Sequence, residues 1–396
     1  MTEQTRQRIE AAEQTLLHTY NRFPVILDRG EGMYLYDTEG KRYLDFFSGI
    51  GVFALGHHYP GFDEALKAQI DKLLHTSNYF YNEPAMAAAK KLTEVSGLSR
   101  VFFTNSGAEA VEGAVKCARR YARNGGREDA FEIIAMEHSF HGRTMGALSV
   151  TGTESYRAPF EPLIGGVRFA KLNDMDSVRE QLSEKTCAVI LEVIQGEGGV
   201  ICAEEDFLRE LRALCDEKDI VLIFDEIQCG MGRTGELFAW ETAGVRPDVM
   251  TLAKGLGCGV PVGAFLVREE VAAEGLRPGD HGTTYGGNPF ACAAVARVLD
   301  LFERDHIIEH VREVAPYLTE RLEDIRASHP GITERRGRGL MQGLVFERPV
   351  ADVLQRAREK GLILINAGAN VLRFLPPLVV TRQEIDEMAA LLKESL

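Results

Sequence analysis

The chain has 396 residues, 45% hydrophobic and 26% charged, with a formal net charge of −14. That length and apolar content suit one large α/β unit with a smaller companion. The acidic balance excludes nucleic acid as the main partner, because phosphate backbones call for a basic surface.

The N-terminal "MTEQTRQRIEAAEQ" is polar, so no secretory signal is expected, and no apolar run reaches the length of a membrane span. The cysteines are Cys117, Cys187, Cys202, Cys215, Cys229, Cys258 and Cys292. They show neither a CxxC pair nor zinc spacing and read as free thiols of a reducing compartment. A cytoplasmic protein with no metal and no membrane partner is the expectation.

In chain order, "YLYDTEGKRYLDF" (34–46) alternates about an Asp-Thr-Glu-Gly turn and predicts a hairpin. After Gly61, helical and strand patterns alternate. "RVFFTN" predicts a strand and "AEAVEGAVKCARRYA" a helix. "FEIIAM" and "CAVILEV" predict strands, "EEDFLRELRALCDEK" a helix, and "IVLIF", "DVMTLA" and "VGAFLV" further strands. Short unbroken apolar runs suit strands buried on both faces, which means a mostly parallel sheet wrapped by helices. A long helical pattern from Phe290 to about Ser328 is predicted to break near Pro316. "TRQEIDEMAALLKESL" follows, with Thr381 and Glu384 spaced as a capping box. The expected division is a large domain at 49–289 and a smaller α+β domain at 290–396, with segment 1–48 packing on the smaller one.

In doubly wound sheets ligands sit beyond the carboxyl ends of the strands. Four such places carry chemistry here. In "FFTNSGAEA" a strand gives way to a helix at Ser106, Gly107 and Ala108, which makes either a phosphate cradle or an ordinary N-cap turn. "IVLIFDEIQCG" delivers Asp225 and Glu226 to a strand end; a buried carboxylate needs a cation, either a ring nitrogen or a local arginine. Gln228, just beyond, can donate to a phenolate oxygen. "VMTLAKGLGCGVPVGAF" sets Lys254 behind a buried strand, where it can form a Schiff base with a carbonyl or snorkel to solvent. In "HSFHGRT", Phe140 can stack on a flat ring, with His138 and His141 nearby, and Arg143 can clamp a carboxylate. A phosphate cradle, an acid for a ring nitrogen, a stacking aromatic and a Schiff-base lysine together describe the needs of pyridoxal 5′-phosphate.

These segments, with "QGEGGV", "HGTTYGGNPFACA" and "LRFLPPL" in the same order, cover nearly the whole chain. They resemble the class III aminotransferases of the fold-type I pyridoxal phosphate superfamily, and within them the acetylornithine aminotransferase group. The resemblance implies that Lys254 carries the cofactor as a Schiff base and shuttles the substrate proton. Asp225 would hold the ring nitrogen, Gln228 the phenolate oxygen, and Phe140 would stack. Ser106, Gly107 and Ala108 would bind the phosphate. Thr284 would reach the phosphate of a partner subunit, making the active unit a homodimer, and Thr283 would lie near the substrate. Arg143 would hold the α-carboxylate of the amino donor and Arg373 that of glutamate or 2-oxoglutarate. Glu197 would mask Arg373 while an ω-amine donor is bound, so that one pocket serves two substrates.

The implied reaction moves the terminal amine of N2-acetyl-L-ornithine to 2-oxoglutarate, giving N-acetyl-L-glutamate 5-semialdehyde and L-glutamate, a step of arginine biosynthesis. Ornithine, succinylornithine, 4-aminobutyrate and acylated lysine stay open as donors. From other classes, an aminomutase would not need the Glu197–Arg373 switch, and a non-catalytic binding protein would not need Lys254, Asp225 and Gln228 together. One departure is Val193, which in "EVIQGE" stands where that family has proline; only a backbone effect is expected.

Overall fold

The computed structural model describes residues 1–396. Its central sheet has seven strands: β1 (Arg100–Thr104), β2 (Glu132–Met136), β3 (Val167–Ala170), β4 (Thr186–Glu192), β5 (Val221–Asp225), β6 (Val249–Leu252) and β7 (Gly263–Val267). They lie in the order β1-β7-β6-β5-β4-β2-β3. β7 runs antiparallel to both neighbours, and every other pairing is parallel. Strands β2, β4, β5, β6 and β7 are buried at every residue, the condition under which strands read as unbroken apolar runs. Along β5, Val221 and Ile223 enter one apolar cluster while Leu222 and Phe224 enter another, so both faces of the sheet are covered. β3, absent from the sequence reading, is a half-buried edge strand interrupted by Arg168 and carries no such run.

The helix Gly107–Asn124 follows β1 and packs on β7, β6 and β4 through a stripe that includes Val111, Ala114, Val115 and Ala118. Because the parallel strands share one direction, Thr104, Met136, Glu192, Asp225 and Leu252 end on the same edge of the sheet. The segments just past these residues form the site.

Three smaller sheets complete the chain. The 34–46 hairpin forms as Tyr34–Asp37 against Arg42–Asp45. Leu27–Glu31 extends it on one side, and Leu362–Ile363 joins Arg42–Asp45 on the other, tying the N-terminal segment to the C-terminal region. Ile332–Arg338, Met341–Phe346, Val371–Phe374 and Ile365–Ala367 make an antiparallel sheet that holds Arg373 within a strand. Ile194–Gln195 pairs with Ile201–Cys202 just beyond β4.

The expected break near Pro316 is not where the long helix ends. Two helices, Pro289–Arg304 and Ile307–Ser328, meet at His306, which adopts φ +52, and Pro316 lies inside the second. A proline removes one N–H, whereas a left-handed residue redirects the chain. Val311, Val314, Ala315, Leu318 and Leu322 are buried on either side of Pro316, and this packing carries the helix through it. The last helix, Arg382–Lys393, does have its capping box: Thr381 Oγ1 accepts from the Glu384 N–H at 3.3 Å and Glu384 Oε2 from the Thr381 N–H at 2.7 Å. No helix is long and apolar enough to cross a membrane.

Candidate active site

A cavity of about 470 Å³ opens where the parallel strands end, lined by Ser106, Gly107, Ala108, Phe140, Arg143, Asp225, Gln228 and Lys254. Glu197 and Arg373 stand behind Gln228 and bond to it. Thr283 sits at the rim, where its Oγ1 accepts from Nδ2 of the cavity residue Asn105 at 3.2 Å. Thr284 is exposed and lines no part of the cavity.

Asp225 ends β5, and its carboxylate is 3% exposed. One oxygen accepts from the Ile227 N–H at 3.0 Å and from Thr251 Oγ1 at 3.2 Å; the other lies 2.7 Å from His141 Nδ1. The protein-side partner of this buried acid is therefore a histidine, not an arginine. Burial works against charging His141, but its hydrogen bond to Asp225 and the charge of Asp225 prevail and raise its pKa. Glu192, the last residue of β4, also lines the cavity. Burial pushes its carboxyl up to about 8, against the opposing pull of His141.

Lys254 follows β6 with φ +49, a conformation costly for a residue with a side chain. Burial lowers its pKa; Glu197 pulls the other way and Arg373 reinforces the drop. Asp225 and Glu197 are engaged by His141 and Arg373 instead. The amine is thus biased towards its neutral, nucleophilic form. Opposite it, Ser106 Oγ caps the helix Gly107–Asn124 by accepting from the Glu109 N–H at 3.3 Å. The N–H groups of Gly107 and Ala108 find no acceptor within the chain, which leaves a helix start free to take an anion. A Cβ at Gly107 would approach Ile227 Cδ1 to 2.8 Å, so Ile227 would have to shift to admit any side chain here.

Arg373 is fully buried and pairs with Glu197 at 2.7 Å. The same Nη1 donates to Gln228 Oε1 at 2.9 Å, and Nη2 donates to the Asn366 carbonyl at 3.2 Å. Burial would raise the Glu197 pKa, but the charge and hydrogen bond of Arg373 outweigh it and the pKa falls. Gly196 leaves room for the arrangement, since a Cβ there would lie 2.0 Å from Gln228 Oε1. Arg143 is exposed at the mouth, with its guanidinium 3.8 Å from the Tyr156 ring centre and 5.4 Å from that of Phe140.

Three groups escaped the sequence reading: Glu192, Tyr156, and the pairing of His141 with Asp225. Glu192 had a signal, since "CAVILE" delivers a carboxylate to a strand end just as "IVLIFD" does. Cys229 and Cys258 are both buried near the cavity. Burial raises the Cys258 thiol to about 11 and Cys229 well above the usual thiol range, so neither presents thiolate at neutral pH.

A model of the family described as aminotransferase class-III matches residues 16–396. The chain belongs to the class-III aminotransferases. An acetylornithine aminotransferase of Aquifex aeolicus is 50% identical over 96% of this chain and 99% of its own length. One from Clostridium acetobutylicum is 48% identical over 96% and 98%. Among solved structures, an ornithine aminotransferase from Toxoplasma gondii superposes with TM-score 0.94 at 32% identity, covering 99% of this chain and 93% of that one. An acetylornithine aminotransferase from Elizabethkingia anophelis does so with TM-score 0.88 at 32% identity, covering 99% and 98%. The fold is that of the fold-type I enzymes. The family depends on pyridoxal 5′-phosphate, and the residues present fit that group. The free N–H groups at the helix start suit its phosphate, the buried Asp225 suits its ring nitrogen, and the amine of Lys254 suits its aldehyde.

Proposed function

We propose that this enzyme transfers the terminal amine of N2-acetyl-L-ornithine to 2-oxoglutarate, yielding N-acetyl-L-glutamate 5-semialdehyde and L-glutamate in arginine biosynthesis. The observation that carries this reading is the Glu197–Arg373 pair at 2.7 Å beside Gln228. With the pair closed, Arg373 is neutralised and the pocket accepts a donor whose amine is remote from its carboxylate. With Glu197 swung away, Arg373 is free to clamp a dicarboxylate. An aminomutase has no second dicarboxylate to admit, so the pair speaks against it. The names of the relatives that are nearly half identical to this chain support acetylornithine as donor.

Pyridoxal phosphate, when bound, supplies an aldehyde for the amine and a ring that draws electrons from the substrate carbon. The roles assigned to this chain's residues are as follows. Ser106 and the N–H groups of Gly107 and Ala108 hold the phosphate. Phe140 covers one face of the ring. Asp225, backed by His141, faces the ring nitrogen, and Gln228 faces the phenolate oxygen. Lys254 Nζ, held towards its neutral form, would take the proton from the substrate carbon and pass it to the aldehyde-derived carbon of the cofactor, so that the amino group stays with the cofactor. Arg143 holds the donor carboxylate at the mouth, and Thr283 flanks the substrate.

The active unit in this reading is a homodimer, with Thr284 reaching the partner's phosphate, and it works in the cytoplasm. The functional division places the cofactor in 49–289, while 290–396 with 1–48 supplies Arg373.

The test is a half-reaction. N2-acetylornithine, ornithine and 4-aminobutyrate are added separately to the loaded enzyme without a keto acid, and the visible absorbance of the cofactor is followed. Fast bleaching by acetylornithine alone is expected. Faster bleaching by another amine would move the donor, and no bleaching by any of them would end the reading. Lys254→Ala is expected to abolish turnover when acetylornithine and 2-oxoglutarate are supplied together; a variant that cycles at the wild-type rate would remove Lys254 from its role.

A further inference from the structure

We propose that Glu192 is a positioning residue for the transamination, joining the ring-covering Phe140 to the loop that carries Glu197. The proposal rests on the pyridoxal phosphate reading above. Glu192 ends β4 with 5% exposure, and its two oxygens serve different segments. Oε2 accepts from the Phe140 N–H at 3.2 Å, and Oε1 from the Gly196 N–H at 3.5 Å. Phe140 lies past β2, and Gly196 immediately precedes Glu197. One buried carboxyl group thus bridges the plate for the ring and the hinge of the switch. Losing it would loosen both together, because neither the Phe140 N–H nor the Gly196 N–H has another acceptor.

The carboxyl also acts through charge. The groups that bear on it are His141 from the segment past β2 and Asp225 from β5, and Lys254 past β6 senses it. Glu197 and Arg373 neutralise each other behind Gln228. His141 gives its Nδ1 to Asp225, and Glu192 has no ion-pair partner of its own. Two long N–H bonds do not offset the cost of a second buried anion beside Asp225, so the acid form is held at neutral pH. Asp225 is then the one anion at the cavity floor. When Glu192 ionises at alkaline pH, a second negative charge faces Asp225 and Lys254, and the electronic environment of the ring changes.

The experiment compares wild type, Glu192→Ala and Glu192→Gln. Pyridoxal phosphate affinity is measured on the apoproteins by equilibrium dialysis. The visible spectrum of each loaded protein is titrated from pH 6 to 10, and kcat and KM are obtained separately. Glu192→Ala is expected to weaken cofactor binding about tenfold or more and to lower kcat more than it changes the donor KM. Glu192→Gln, which keeps an acceptor, is expected to recover most of that affinity but to lose the spectral step near pH 8. A Glu192→Ala apoprotein that binds the cofactor within twofold of wild type overturns the proposal. So does a Glu192→Gln protein that keeps the wild-type pH curve, or one as loose as Glu192→Ala. If Glu192→Ala does not fold, the pH curve of Glu192→Gln decides alone: a lost step supports the proposal and a retained one overturns it. A wild-type apoprotein that takes up no pyridoxal phosphate overturns the underlying reading as well, and this is distinguishable because it appears before any variant is made.

Discussion

Lys254 is held in a left-handed backbone conformation with its amine pushed towards neutrality, and both features cost folding free energy. The sign of the pH dependence follows from proton counting. With its folded pKa below the unfolded one, Lys254 binds fewer protons folded than unfolded across that interval, so its stability cost is full below the folded pKa and fades as pH rises towards the ordinary lysine range. The Lys254→Met apoprotein is therefore expected to melt above the wild-type apoprotein at pH 7, with the gap closing as pH approaches 10. Equal melting temperatures at pH 7 would show that the lysine carries no such cost. Glu197 yields a second prediction at this scale. Glu197→Gln leaves Arg373 permanently unmasked, so kcat/KM for glutamate as donor should rise relative to acetylornithine; an unchanged ratio would remove the switch. Lys254, Asp225 and Ser106 were legible in the sequence because residue type and strand-end position coincide. The Glu197–Arg373 pair was not, since 176 positions separate its members and only the family resemblance joined them. His141 and Asp225, 84 positions apart, meet because β2 and β5 run in the same direction in one sheet, a fact of topology that no local pattern records.

Among the elements, those with a strong local signal were the readable ones. The fully buried strands, the amphipathic helix Gly107–Asn124 and the capped C-terminal helix each carry period, length and boundary residues that agree. β3 and Leu27–Glu31 were not legible, because an edge strand and an exposed strand need no unbroken apolar run. Pro316 misled for the opposite reason: a local breaker was overridden by a buried stripe that continues past it. The caps allow a test that separates stability from chemistry. Thr381→Ala removes a reciprocal cap far from the cavity and should cost about 1 kcal/mol in urea unfolding with turnover unchanged. Ser106→Ala removes the cap of the helix whose free N–H groups face the cavity, at a similar cost of about 1 kcal/mol. It should also weaken pyridoxal phosphate binding in equilibrium dialysis. Equal effects of the two substitutions on cofactor affinity would show that the Ser106 hydroxyl has no part in holding the phosphate.

At the scale of the molecule, one stretch of surface is unlike that of a lone soluble protein. Ile70, Leu73, Leu74, Tyr79, Phe80 and Tyr81 are all exposed, Tyr79 and Tyr81 by more than nine-tenths, and Tyr285 stands out beside the exposed Thr284. Asn78 bonds to the carbonyls of Thr283 and Gly286, so the apolar segment and the Thr284 loop form one continuous surface. Contiguous exposed aromatics of this kind mark an interface. In the proposed homodimer a second copy packs there and Thr284 serves the neighbouring cavity, a reading supported by its exposed place outside its own subunit's cavity. Complementation tests the arrangement directly. Lys254→Ala and Thr284→Asp subunits are each expected to be inactive as homodimers, the first without its amine and the second with a carboxylate aimed at a phosphate. In a heterodimer isolated through two different tags, one cavity combines the intact Lys254 of one subunit with the intact Thr284 of the other. Such heterodimers should regain about half the wild-type turnover, one good site of two. If Thr284 serves its own subunit instead, neither cavity is intact and the purified heterodimer stays inactive, which would move the shared site, and the reason for dimerising, elsewhere.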